Sequence, residues 1–186
     1  PAETSQGAIE MRTDPKLHTA DCWLLLGDIT GSTKLAREHG VQDWAIICGS
    51  WLYSCKRLVE RSGGVMADYM GDGFLAYWVD GTGTMQQLIT ALANFRNAQD
   101  QLNPPFRVIV HMGQVSISGQ PSRGEEALFG PEVHFAFRVE KLAGSLGESR
   151  VVTQTARDRL SECLPADLIG NYGLAGFPGE HAIYRF

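Results

Sequence analysis

The residues with chemistry in them begin at Asp28. It ends the short apolar run Trp23-Leu24-Leu25-Leu26 and precedes Ile29-Thr30-Gly31-Ser32-Thr33, after which a helical pattern starts at Lys34. That order reads as a buried strand delivering a carboxylate to its own C-terminal tip, then a turn of small residues opening a helix. Backbone N–H groups at such a turn are unpaired and attract anions, phosphates above all. A carboxylate beside them suggests a metal bridging the two. Taken alone, the stretch reads as readily as an aspartate capping a helix and a glycine serving a turn.

A second aspartate, Asp72, lies in Met70-Gly71-Asp72-Gly73, between the strand-like segments Val65–Tyr69 and Phe74–Val79. This predicts a hairpin with an aspartate at its turn. If the strands are neighbours, Asp28 and Asp72 lie side by side. Paired carboxylates hold two divalent ions, the arrangement used for in-line displacement at phosphorus. Two unrelated turn aspartates fit the same residues. His134 and Arg138 add a third element: a spacing of four places both on one helix face, beside the core-facing Val133 and Val139. An arginine turned toward the core in this way commonly makes a structural salt bridge. It is also what a site needs when negative charge develops on a phosphoryl group.

The elements that must position these residues follow from the hydrophobic spacing. Residues 1–20 are polar and aperiodic and are expected to form a flexible arm, so the domain proper is 21–186. The first strand is expected over Asp21–Gly27. A helical pattern over Ser32–Arg61 carries a break near Gly40 and stops at Ser62-Gly63-Gly64. A second helix, Thr84–Leu102, presents Met85, Leu88, Ile89, Leu92 and Phe95 on one face and ends at Asn103-Pro104-Pro105. In the β segment Phe106–Ser118, Phe106, Val108, Val110 and Met112 alternate with the residues between, and a loop Gly119–Glu125 follows. Gly130-Pro131 opens a third helix, Glu132–Leu146. Val151–Thr153 is expected as a strand, Gln154–Leu160 as a short helix and Ala182–Phe186 as the last strand. Strands and helices alternating around one mixed sheet predict an α+β or α/β fold with a single core.

At 186 residues, the chain is long enough to bury roughly 70% of its unfolded surface. An apolar fraction of 44% with 20% charged residues is that of an ordinary globular protein. A formal charge of −5 and a pI near 5.5 argue against a dedicated nucleic-acid binder, but leave room for a local basic pocket. No apolar stretch approaches the roughly 20 residues of a membrane span, so no membrane role is expected. Cys22, Cys48, Cys55 and Cys163 form neither a CxxC pair nor a zinc pattern, and the expected compartment is the reducing cytoplasm.

The segments LLLGDITGSTKL, SGGVMADYMGDGFLAYW, FRVIVHMGQVSISG and FGPEVHFAFRVEKLA, in this order and spacing, resemble the catalytic domain of class III nucleotidyl cyclases over roughly Cys22–Phe186. The resemblance implies an α+β, ferredoxin-like mixed sheet flanked by helices, working as a head-to-tail homodimer with active sites at the interface. It implies that Asp28, Ile29 and Asp72 hold two Mg²⁺ or Mn²⁺ ions per site, and that the backbone of Ile29, Thr30, Gly31, Ser32 and Thr33 binds the triphosphate. Arg138 matches the arginine that stabilises the transition state. His134 stands where an asparagine usually orients the ribose. One chain would supply Asp28 and Asp72, the other His134, Arg138 and the base pocket.

Departures from the family pattern bear on the substrate. Asp68 and Ala127 occupy the two positions that read a purine, Tyr53 falls where a phenylalanine tends to line the base pocket, and Leu174-Ala175-Gly176 replaces a phosphate-contacting lysine. A bulky Tyr53 with a short Asp68 suits a smaller base, and uracil N3–H offers Asp68 a donor that cytosine lacks. The stretch HFAFRVEKLAGSLG resembles the bacterial pyrimidine cyclases of Pycsar anti-phage systems, which make cyclic UMP or cyclic CMP as an alarm signal. The expected activity is therefore conversion of UTP, or CTP, to the 3′,5′-cyclic monophosphate. Alternatives are an adenylate or guanylate cyclase with a divergent pocket, and a non-catalytic nucleotide-binding dimerisation module.

Overall fold

A computed structural model describes residues 17–101, 104–118, 127–160 and 162–186. The expected arm thus lies outside the described residues up to 16, as does the Gly119–Glu125 loop. In chain order the elements are β1 (His18–Ile29), α1 (Ser32–Arg61), β2 (Val65–Met70), β3 (Gly73–Val79), α2 (Thr84–Gln101), β4 (Phe106–Ser118), β5 (Ala127–Phe129), α3 (Pro131–Leu146), β6 (Arg150–Thr153), α4 (Gln154–Leu160), β7 (Asp167–Leu174) and β8 (Phe177–Arg185). The first strand starts at His18, three residues before the expected Asp21.

The apolar run in β1 is buried on both sides because β1 is a central strand, paired antiparallel with β3 and β4. Trp23, Leu24 and Leu25 have no exposed surface. Strand alternation sends Trp23, Leu25 and Ile29 to a core under α1, α2 and α4, and Cys22, Leu24 and Leu26 to a second core under α3. The sheet order β2-β3-β1-β4-β6-β8-β7, with β5 paired to β4, gives a mixed sheet. Its β1-α1-β2-β3-α2-β4 half has the ferredoxin-like order. Only the β4–β6 contact among the described pairs is parallel.

In β4 the expected alternation holds. Phe106, Val108, Val110 and Met112 join the first core, while Ile109, Val115 and Ile117 join the second. The expected break in α1 is real: Gly40 adopts φ 74° and ψ 170°, a conformation that suits glycine and divides the helix in two. Rings of Trp51, Phe74, Phe95 and Phe106 pack at centroid distances of 5.5–6.3 Å beneath α1 and α2. Phe95→Ala is expected to cost about 3–5 kcal/mol. The check is a lower urea midpoint with an unchanged slope of the unfolding transition.

Candidate active site

Period-two alternation along β1 places Asp28 on the face covered by α3, at the C-terminal end of the strand. Strand register sets it opposite Gly73 of β3 and Arg107 of β4. Asp72 sits in the two-residue turn between β2 and β3, whose first residue, Gly71, takes φ 68° as tight hairpin turns require. The Ile29 N–H donates to the Asp72 carbonyl at 3.1 Å, sewing this turn to the tip of β1. Gly73 leaves room between the two: a Cβ there would lie 2.9 Å from the Gly27 carbonyl oxygen and 3.3 Å from Asp28 Oδ1. The two aspartates therefore share one end of the sheet.

Their proximity has an electrostatic signature. Burial pushes the Asp28 carboxyl up to about 7, and the carboxylates of Glu140 and Asp72 push the same way while Arg107 pulls it down. Crowded, partly buried carboxylates favour whatever supplies positive charge, a proton or a cation. Among the described residues no group of three or more His, Cys, Asp or Glu side chains is placed to hold a metal by itself. The hard oxygens of Asp28 and Asp72 fit instead the Mg²⁺ or Mn²⁺ mode in which one or two carboxylates act with phosphate oxygens and water. The Ile29 side chain is buried, so its carbonyl oxygen is the atom it has to offer a metal.

The turn after Asp28 is an open helix N-terminus. Gly31 caps α1 in the left-handed region at φ 70° with no side-chain hydrogen bond to the helix. The first amides of α1 accordingly have no intrahelical partner. The family resemblance implies phosphate binding by the whole backbone of Ile29–Thr33, but two of its amides have partners within the chain. The Ile29 amide is spent on Asp72 and the Thr30 amide donates to the Pro105 carbonyl at 2.8 Å. Gly31, Ser32 and Thr33 retain the amides suited to an anion. Beside them a cleft of about 740 Å³ runs from Ser32, Thr33 and Asp72 past Arg37 to Trp44 and Leu52.

Two residues that the sequence did not single out complete the β1 tip. Arg107 Nη1 donates to Glu140 Oε1 of α3 at 2.7 Å and lies 3.4 Å from Asp28 Oδ2. A second bridge fixes the start of α3. Buried His111 on β4 meets Thr153 Oγ1 through Nδ1 at 2.8 Å and Glu132 Oε2 through Nε2 at 2.7 Å. This hydrogen bond holds the Glu132 carboxyl below its usual range, against a smaller opposing effect of burial. In both cases the available signal was a charged or imidazole side chain inside an apolar strand, which demands a partner.

His134 and Arg138 share one face of α3, as expected from their spacing, but that face is solvent-exposed. The buried face consists of Val133, Phe135, Ala136, Val139 and Ala143. The expectation of a core-facing arginine is corrected: Val139 is only one residue away, and neighbours on a helix diverge by a large angle. Asp68 is exposed on β2 at a register shift, its Oδ1 accepting from the Tyr69 amide at 2.8 Å. Tyr53, 62% exposed, borders a separate cleft between α1 and α2, with the Arg57 guanidinium 5.8 Å from its ring centroid. A single chain thus gathers Asp28, Asp72 and the Gly31–Thr33 turn, while His134 and Arg138 are exposed on α3.

No protein-family model matches the chain, and no curated protein matches it. Solved structures do. The chain is similar to the adenylyl cyclase CyaB from P. aeruginosa, with TM-score 0.74 and 17% identity over 91% of this chain and 94% of that one. It is similar to the guanylate cyclase domain of RhGC from Catenaria anguillulae in complex with GTP, with TM-score 0.75 and 13% identity over 90% and 96% of the two chains. A non-canonical dimeric guanylyl cyclase domain of the RhoGC fusion protein from Blastocladiella emersonii gives TM-score 0.74 and 13% identity over 91% and 96%. The mixed α+β fold is that of class III cyclase catalytic domains.

The raised Asp28 carboxyl has a testable sign. Its folded value near 7 exceeds its ordinary value of 3.8, so the folded state binds the proton more tightly. Between about pH 4 and 7 the contribution of Asp28 to the stability of metal-free protein falls as pH rises. Asp28→Asn is therefore expected to raise the melting temperature of metal-free protein at pH 8 by about 3–6 °C, roughly 1.5 kcal/mol at this chain length. The gain should vanish near pH 4. A calorimetric scan at the two pH values checks both.

Proposed function

We propose that the chain is a nucleotidyl cyclase acting as a head-to-tail homodimer, converting UTP, or CTP, to the 3′,5′-cyclic monophosphate and pyrophosphate. The observation that carries this reading is the division of the site. Asp28, Asp72 and an uncapped helix N-terminus stand together, while His134 and Arg138 face outward on α3. Two copies arranged head to tail bring the two halves together, twice. Fold likeness to cyclase domains, one in complex with GTP, supports nucleotide cyclisation in general, and likeness to a non-canonical dimer supports the pairing of two copies.

In this reading Asp28 and Asp72, with the Ile29 carbonyl, hold two Mg²⁺ or Mn²⁺ ions. Such ions lower the pKa of a bound hydroxyl and offset phosphate charge. The amides of Gly31, Ser32 and Thr33 take phosphate oxygens, as unpaired helix amides do. The ribose 3′-hydroxyl gives up its proton to solvent as its oxygen bonds to the α-phosphorus, and the bond to pyrophosphate breaks. Arg138 of the partner subunit faces the oxygens on which charge grows, and His134 of the partner subunit holds the ribose or α-phosphate. Exposed Asp68 of the partner subunit accepts the N3–H of uracil, and the hydroxyl of Tyr53 of the partner subunit contributes to the base pocket. The resemblance of the His134–Gly147 sequence to pyrimidine cyclases supports the choice of base and a role as an alarm signal in anti-phage defence.

Turnover of ATP, GTP, CTP and UTP by purified protein in Mn²⁺, with Asp72→Ala as control, tests the reading. The expected result is a cyclic pyrimidine nucleotide that disappears in the variant. A purine product would retain the chemistry and overturn the assignment of Asp68 and Tyr53. Arg138→Ala is expected to lower kcat by about 10²–10³-fold, the usual cost of one donor to a developing oxyanion. Near wild-type turnover would remove Arg138 from the site.

A further inference from the structure

The guanidinium of Arg107 is shared between two carboxylates, and the sharing is unequal. Register places Arg107 directly across from Asp28. An arginine so placed ordinarily engages a carboxylate at 2.7–2.9 Å, often through two parallel bonds. Here the same nitrogen, Nη1, is 2.7 Å from Glu140 Oε1 and 3.4 Å from Asp28 Oδ2. The short hydrogen bond goes to α3, and Asp28 is left outside hydrogen-bond distance.

The surrounding structure enforces this choice. Gly144 lies one helical turn beyond Glu140, and a Cβ there would come within 2.5 Å of Arg107 Nη1. Its bare backbone lets the guanidinium lie against α3. Arg107 is 14% exposed and Glu140 21%, so the pair is little screened by water. Strand alternation turns Asp28 and Arg107 to this same face of the sheet, and Leu26, Phe137 and Met70 border the small cavity between Asp28 and Glu140.

We propose that Glu140 is a positioning residue that sets divalent-cation affinity at Asp28 by drawing Arg107 away from it. Without Glu140, the guanidinium swings to the remaining carboxylate and competes with the cation for its oxygens. The inference rests on the proposed assignment of Asp28 and Asp72 to cation binding. It adds a residue two positions beyond Arg138 on the same helix, acting on the site of its own chain while Arg138 serves the partner's.

Mn²⁺ binding, followed by electron paramagnetic resonance on purified protein, tests it without reference to turnover. Glu140→Met is expected to weaken Mn²⁺ binding by about 10-fold or more, the usual effect of losing a partner of a metal ligand. Glu140→Gln, which keeps an acceptor but not the charge, should fall between. The double variant Glu140→Met/Arg107→Met should recover most of the lost affinity, because the competitor is gone. Equal affinity in wild type and both single variants would overturn the proposal. So would a double variant as weak as Glu140→Met, which would make Glu140 act on the cation directly. Circular dichroism verifies folding of each variant, and if the double variant unfolds, Arg107→Met alone decides: it should bind Mn²⁺ no more weakly than wild type. Wild-type protein that binds no Mn²⁺ and turns over no nucleotide would sink the proposed function itself.

Discussion

Everything at the candidate site depends on one electrostatic fact: acidic side chains crowd the end of β1 with the Arg107 guanidinium between them. Asp28 feels Glu140 and Asp72 from two sides, in a setting dry enough to raise its carboxyl to about 7. Among the described residues Arg107 opposes them there, and its short bond is to Glu140. Such a cluster costs stability unless positive charge arrives, and strain of this kind concentrates where function needs it. The packing thus favours positive charge at this point, a proton or a cation.

The fold exists around that cluster in a specific way. β1 is clamped by β3 and β4, so its tip cannot move independently of the β2–β3 turn or of Arg107. Helix α3 has two faces with different duties. Val133, Ala136 and Val139 fasten it to the sheet, Glu140 reaches the tip of β1, and the His111–Glu132 bridge fixes its first turn. His134 and Arg138 are left facing outward from a rigid support, which is what a residue lent to another subunit requires.

Much of this was legible in the chain itself. The buried run before Asp28, the Gly40 break, the Asp72 hairpin and the alternation in β4 all express hydrophobic period or turn chemistry, which are local. Strand β7 was not read, because DLIGNYGL carries two glycines and lies half exposed at the sheet edge. The three-residue β5 has no period to detect. The last strand begins at Phe177 instead of Ala182, its first half holding Pro178 and Gly179. Arg107 and Glu140 are 33 residues apart and meet only once register and helix packing are fixed. The spent amides of Ile29 and Thr30 likewise depend on Asp72 and Pro105, distant partners that no local pattern announces.

The central claim is that each active site takes Asp72 from one chain and Arg138 from another. The most direct measurement mixes Asp72→Ala and Arg138→Ala proteins under conditions that exchange subunits. Each variant alone is expected to turn over at least about 10²-fold more slowly than wild type, but a mixed dimer holds one intact site beside one doubly defective site. Turnover should return to about one quarter of wild type, from half the dimers carrying one of two sites. Mixed dimers that form, as shown by differently tagged chains, yet give no turnover would contradict the account.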